Sequence, residues 1–271
     1  NSISGTGNST IVFTAKANMW AEKRTALVTI TGDGSNSQLI TVTQNGATPV
    51  LNVSSNSVAI GALQGSTNSI DISSNLNWTA VSNQSWLYLS SNQGTGNLKL
   101  VLTAYSNTTI VPRTATITIT GTGLQPVTVT VTQAAGAPVL AVSSNSLIIT
   151  APANSTKSFS IYSNVGWTVT SNQSWLTPNY SSGNNNGTIT LIAQQNVATE
   201  QRTATVTVSG TNNVASITII VTQDAGIPIL NLSTNTITIN KDNTGSFTIQ
   251  SNISWSVVSN QTWLTSDVTS G

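Results

Sequence analysis

Apolar and polar residues alternate strictly over two neighbouring stretches, Thr114–Thr120 and Val127–Gln133. Ala115, Ile117 and Ile119 mark one face of the first, and Val127, Val129 and Val131 one face of the second, with Thr between them. A period of two with β-branched residues on both faces predicts half-buried antiparallel strands. Upstream, Val50–Val53, Ser57–Ile60, Ser69–Ile72, Trp78–Val81, Trp86–Leu89 and Leu98–Thr103 read as further short strands, separated by clusters of Asn, Gly and Ser. No segment carries a helical period. Short strands at this density, punctuated by turn residues, predict an all-β, immunoglobulin-like sandwich of two antiparallel sheets.

The pattern recurs. Ser82-Asn83-Gln84-Ser85-Trp86-Leu87 returns as Ser171-Asn172-Gln173-Ser174-Trp175-Leu176 and as Ser259-Asn260-Gln261-Thr262-Trp263-Leu264, so the Trp spacings are 89 and 88. Trp78, Trp167 and Trp255 keep the same two spacings, and the Arg-Thr-Ala triplets at Arg24, Arg113 and Arg202 are 89 and 89 apart. Gln44, Gln133 and Gln223, each closing a Val-Thr-Gln strand, and the linker prolines Pro49, Pro138 and Pro228 are both spaced 89 and 90. Independent anchors sharing one period define a tandem array of roughly 89-residue domains. Small residues followed by proline mark the joints, where proline restricts the backbone and predicts semi-rigid linkers. The boundaries predicted are 1–47, the C-terminal half of a repeat; 48–136 and 137–226, two complete repeats; and 227–271, the N-terminal half of another.

Composition narrows the function. Charged residues are 6% of the chain and the net charge is +1, against roughly a quarter charged in an average soluble protein. With no basic run, nucleic acid and anionic membrane are poor partners. No stretch reaches the ~18 apolar residues needed for membrane insertion. There is no Cys and no His, which removes disulfides, thiolate chemistry and the usual zinc ligands. Glu22, Asp33, Asp71, Glu200, Asp224, Asp242 and Asp267 are scattered, with no pair repeated in register. A glycosidase carboxylate pair and a calcium cluster are therefore not expected. The chain reads as a non-enzyme with no cofactor and no metal.

The ordered anchors are a Trp, then Asn-Gln-Ser-Trp-Leu, a Ser-Gly-Asn turn, a late Arg-Thr-Ala strand and a closing Val-Thr-Val-Thr-Gln. This set resembles the BACON domain, a module common in exported and surface proteins of Bacteroidetes, and it covers both whole repeats and each half. The resemblance implies immunoglobulin-like sandwiches, located extracellularly or on a bacterial cell surface. It also implies either carbohydrate binding, mucin included, or a spacer role such as the module has in some glycoside hydrolases. Here the modules are strung together without a catalytic domain, which favours a structural stalk or filament segment of an adhesin-like surface protein. An array of carbohydrate-binding modules, with surface glycans as partners, is the alternative.

The tryptophans separate these readings. Trp78, Trp86, Trp167, Trp175, Trp255 and Trp263 recur in every copy within or beside strands, as core anchors do. Trp20 does not recur. Its loop, Asn18–Arg24, aligns without gaps to Asn107–Arg113 and Asn196–Arg202, where Thr109 and Ala198 stand in its place. Met19 and Trp20 are therefore the candidate contact site. The recurring Arg residues read as structural hydrogen-bond or ion-pair donors in preference to an anion site. Lys99 aligns with Thr10 and Thr188, so no shared Lys–Asn cross-link is expected. Asn83, Asn172 and Asn260 are glycosylation sequons in form, in a chain rich enough in Asn, Ser and Thr to produce them by composition.

Gly5, Gly94, Gly183 and Gly271 occupy one phase of the repeat, so each terminal half should expose core residues such as Ile30, Val42, Trp255 and Trp263. Three readings remain open: one period of a longer polypeptide or filament, a subunit whose front half captures the back half of its neighbour, or a fragment. The first two predict that neighbouring copies complete the split sandwich head to tail.

Overall fold

A computed structural model describes residues 4–241 and 243–271; Asp242 lies outside the described residues. Every regular element among them is a strand. The chain divides into two compact units, Asn1–Ala137 and Pro138–Gly271.

The first unit opens with a hairpin, β1 (Arg24–Ile30) against β2 (Gln38–Gln44). Its whole repeat follows as β3 (Leu51–Val53), β4 (Ser57–Ile60), β5 (Ser66–Ser74), β6 (Asn77–Ser82), β7 (Leu87–Leu89), β8 (Gln93–Thr95), β9 (Leu98–Ala104), β10 (Arg113–Gly121) and β11 (Val127–Gln133). They form two sheets, ordered β3-β5-β9-β7 and β4-β11-β10-β6-β8. The alternation sets the inward face: Ala115, Ile117, Ile119, Val129 and Val131 meet Ile70, Ile72, Leu100 and Leu102 of the facing sheet in one buried cluster. The ladders are antiparallel except that β4 runs parallel to β11, with Ser57 opposite Thr130 and Ile60 opposite Gln133.

The second unit repeats this plan. Its strands are β12 (Leu140–Val142), β13 (Ser146–Ile149), β14 (Ser155–Ser163), β15 (Gly166–Ser171), β16 (Leu176–Pro178), β17 (Ser182–Asn184), β18 (Gly187–Ala193), β19 (Arg202–Gly210) and β20 (Ile217–Gln223). The sheet orders, β12-β14-β18-β16 and β13-β20-β19-β15-β17, match the first repeat position by position, and Phe159, Ile161, Ile189, Leu191, Val206, Val208, Ile219 and Val221 fill the core. The unit ends with β21 (Leu230–Leu232) paired to β22 (Ile249–Ser251).

These sheet orders explain the two terminal halves. In a whole repeat, β9 comes from the C-terminal half of the sequence and lies between β5 and β7 of the N-terminal half; β11 and β10 are likewise inserted between β4 and β6. Neither half can close either sheet. The pairs that lie within one half, β1–β2 and β21–β22, are the ones that form. Ile11–Phe13 sits at the position of β9 with neither neighbour and is not a strand. Trp255–Val258 and Trp263–Leu264, expected as strands, likewise lack the inserted neighbours and show one isolated bridge, Ser256 to Ser270. The expectation that Trp263 is a core residue is corrected for this chain: it is 76% exposed, because the facing strands belong to the missing half. Trp255 is half-buried.

Candidate functional site

Four of the recurring tryptophans lie inside the two whole repeats. Trp78 and Trp167 are 2% and 5% exposed, and their indole nitrogens donate to the carbonyls of Gly96 at 2.9 Å and Asn185 at 2.7 Å. Each ring lies so close to the next strand that a methyl group at Gly94 or Gly183 would overlap it, which explains why glycine recurs at that phase. Trp86 and Trp175 are each 8% exposed. Their outer faces are covered by the guanidinium groups of Arg113 and Arg202, at 4.7 and 4.3 Å from the ring centroids, within cation–π range.

Those arginines are clasps. Arg113 Nε donates to Gln133 Oε1 at 2.7 Å and its Nη2 donates to the carbonyls of Tyr105 and Ser106. Gln133, fully buried, donates through Nε2 to the carbonyls of Gly61, Ala62 and Tyr105. One Arg–Gln pair thus joins the start of β10, the end of β11 and the loops following β4 and β9. Arg202 and Gln223 repeat it with Gln194, Gln195, Thr150 and Ala151. A planar fork suits this better than an ammonium. Burial lowers the pKa of Arg202 from its ordinary value by desolvation. Asn83 and Asn172, conspicuous as sequons, each accept the backbone N–H of a facing strand, from Thr116 at 2.8 Å and from Thr205 at 2.7 Å.

Met19 and Trp20 lie elsewhere, in the loop before β1. Met19 is exposed and Trp20 is 49% exposed. The Trp20 ring abuts Gly96 of the following repeat, at the turn between β8 and β9. Around it the joint is hydrogen-bonded. Asn18 Nδ2 donates to the carbonyls of Glu22 and Asn45, and Ala47 N–H to that of Trp20. Ala21 N–H donates to Asn75 O of the next repeat at 3.0 Å. Asn75 in turn grips the linker through Thr48 O and Val50 N–H. In the second unit Asn196 binds the carbonyls of Glu200 and Asp224 in the same manner, and Asn252 donates to Val197 O across the joint and to Ile227 O. Sequence reasoning missed this joint. Its signal was an Asn at 18, 107 and 196 and another at 75, 164 and 252, in the period of the array.

Among the described residues no group of three His, Cys, Asp or Glu side chains could hold a metal ion. One shallow groove on the first whole repeat combines the exposed Tyr88 with Ser82, Asn83, Gln84, Ser90 and Asn92. It is aromatic and polar at once, and its Ser82, Asn83 and Gln84 belong to the recurring hexapeptide, whereas Tyr88 does not recur: Thr177 stands at its position in the second whole repeat.

The family described as "Viral BACON domain" matches residues 50–136 and 139–224. This chain belongs to the BACON family. A second BACON family, that of an N-terminal binding domain, matches residues 1–45. No curated protein sequence matches the BACON array. Among solved structures it is similar to a GH5 xyloglucanase of Bacteroides ovatus in complex with a XXXG heptasaccharide, at 27% identity over 32% of this chain and 19% of that one, with a TM-score of 0.31. It is also similar to the adhesin InvE of Yersinia pseudotuberculosis, at 14% identity, 65% and 58% coverage and a TM-score of 0.33. Domains 4 and 5 of the S-layer protein SbsC match at 18% identity, 55% and 70% coverage and a TM-score of 0.30. The array thus spans about a fifth of the xyloglucanase and under two thirds of the adhesin, and these likenesses carry no argument about its activity.

Proposed function

We propose that the chain is a non-catalytic stalk or filament segment of a surface-exposed, adhesin-like protein, in which stacked BACON domains supply length. The observation that carries this reading is the use made of the recurring residues. The recurring tryptophans of both whole repeats, together with Arg113, Gln133, Arg202 and Gln223, are spent on holding the sheets and loops together. The sequence placed the array on a bacterial cell. The viral description of the family matching both whole repeats supports a virion surface instead. In the same reading the open sheets of the terminal halves are filled by neighbouring copies of the array, joined head to tail.

The test is immunogold electron microscopy of the native particle with an antibody raised against residues 48–226. Labelled projections with an axial spacing set by the repeat are expected; label confined to the particle interior or to host cytosol would overturn the reading. The second reading, an array of glycan-binding modules, is favoured by the Tyr88 groove. It requires glycan-array binding that Tyr88→Ala abolishes.

A further inference from the structure

We infer that Trp20 is a lock that fixes one repeat on the next, and that it selects a glycine-bearing turn as its partner. Gly96 is held from inside by Trp78, whose indole N–H donates to the Gly96 carbonyl at 2.9 Å. From outside it meets Trp20: a Cβ built on Gly96 would lie 2.9 Å from Trp20 Cη2 and 3.2 Å from Cζ3. The turn is therefore clamped between an indole of its own core and an indole of the preceding repeat. Gly96 also has φ of +69°, a conformation that glycine adopts freely and asparagine tolerates.

The neighbouring residues make the contact a joint rather than a chance touch. Ala21, the residue after Trp20, packs against the core cluster of the following repeat and donates its N–H to Asn75 O. The linker crosses behind the loop at Gly46, where any side chain would strike the Ala21 carbonyl. Loop, linker and following repeat thus meet around Ala21, with the Trp20 ring beside them on the Gly96 turn.

The other repeats use different residues at these phases. Where Trp20 stands, they carry Thr109 and Ala198; where Gly96 stands, the second whole repeat carries Asn185, with φ of +59°. The pairing of a tryptophan with a glycine-bearing turn is thus particular to Trp20 and Gly96. This inference stands apart from the stalk reading, since a glycan-binding array would be held by the same lock.

The test is amide hydrogen exchange on the full 271-residue chain, comparing the parent with Trp20→Ala, Gly96→Asn and the double variant. Both replacements already occupy the matching positions of sibling repeats, and the core amides named below report whether the following repeat stays folded. The Ala21 amide should exchange at least about tenfold faster in each single variant, with no further gain in the double. Ile117 and Val129 amides, in the core of the following repeat, should keep their protection. Unchanged protection of Ala21 in Trp20→Ala would overturn the lock, as would acceleration in Gly96→Asn alone, because the turn and not the indole would then hold the joint.

Discussion

At the scale of single residues, the repeat is maintained by side chains that satisfy several partners at once. Arg202 covers Trp175, binds Gln223 and caps two carbonyls. Gln223 sits at an inward phase of β20, where alternation calls for an apolar residue, and it answers the carbonyls that loops leave inside the sandwich. Removing the ring beneath the guanidinium takes away packing on one side and the cation's platform on the other. Trp175→Ala should therefore destabilise its repeat by about 3–5 kcal/mol, read by chemical denaturation. A midpoint equal to the parent's would show that the indole contributes nothing to the core and would return it to the sugar-binding candidates. The core role of Trp78, Trp86, Trp167 and Trp175 was legible because it is periodic. The clasp was not, since an Arg and a Gln twenty residues apart carry no mark of being neighbours until the hairpin register of β10 and β11 brings them together.

At the scale of elements, the strands that alternate were legible almost to the residue, and β8 and β17 were missed. Three residues long and built around Gly94 and Gly183, these two carry no alternation, and the tryptophan behind them dictates their composition. Pairing was harder to read than existence, because a period of two says which side faces inward and nothing about which strand lies alongside. The interleaving of halves is the element-level result with the sharpest outcome. By repeat position, residues 227–271 correspond to the strands that flank β9 in a whole repeat, the position of Ile11–Phe13, and β1 and β2 correspond to the β10 and β11 that lie between β4 and β6, the positions of Ile237 and Trp255. A peptide of residues 227–271 should show no cooperative melt, and an equimolar mixture with residues 1–47 should gain one with β-type circular dichroism. A mixture whose spectrum equals the sum of its parts would end the case for head-to-tail completion between copies.

At the scale of the molecule, stability is expected to be modular, each repeat holding its own core and adding a smaller coupling through its joints. Extension of the chain in an optical trap should thus show one large step per whole repeat, each releasing about 300 Å of contour, less the folded length, for some 89 residues. A single merged step would mean that the joints couple the repeats into one cooperative body. The height of those steps follows from the direction of β4. It runs parallel to β11, near the two ends of the repeat, so tension entering at one end and leaving at the other slides these strands lengthwise past each other. Once the three-residue β3 has given way, the ladder from Ser57–Thr130 to Ile60–Gln133 is loaded in shear, its bonds strained together; an antiparallel arrangement there would unzip one bond at a time. A repeat built this way resists pulling along its axis far better than its modest size suggests, while remaining easy to open from the side.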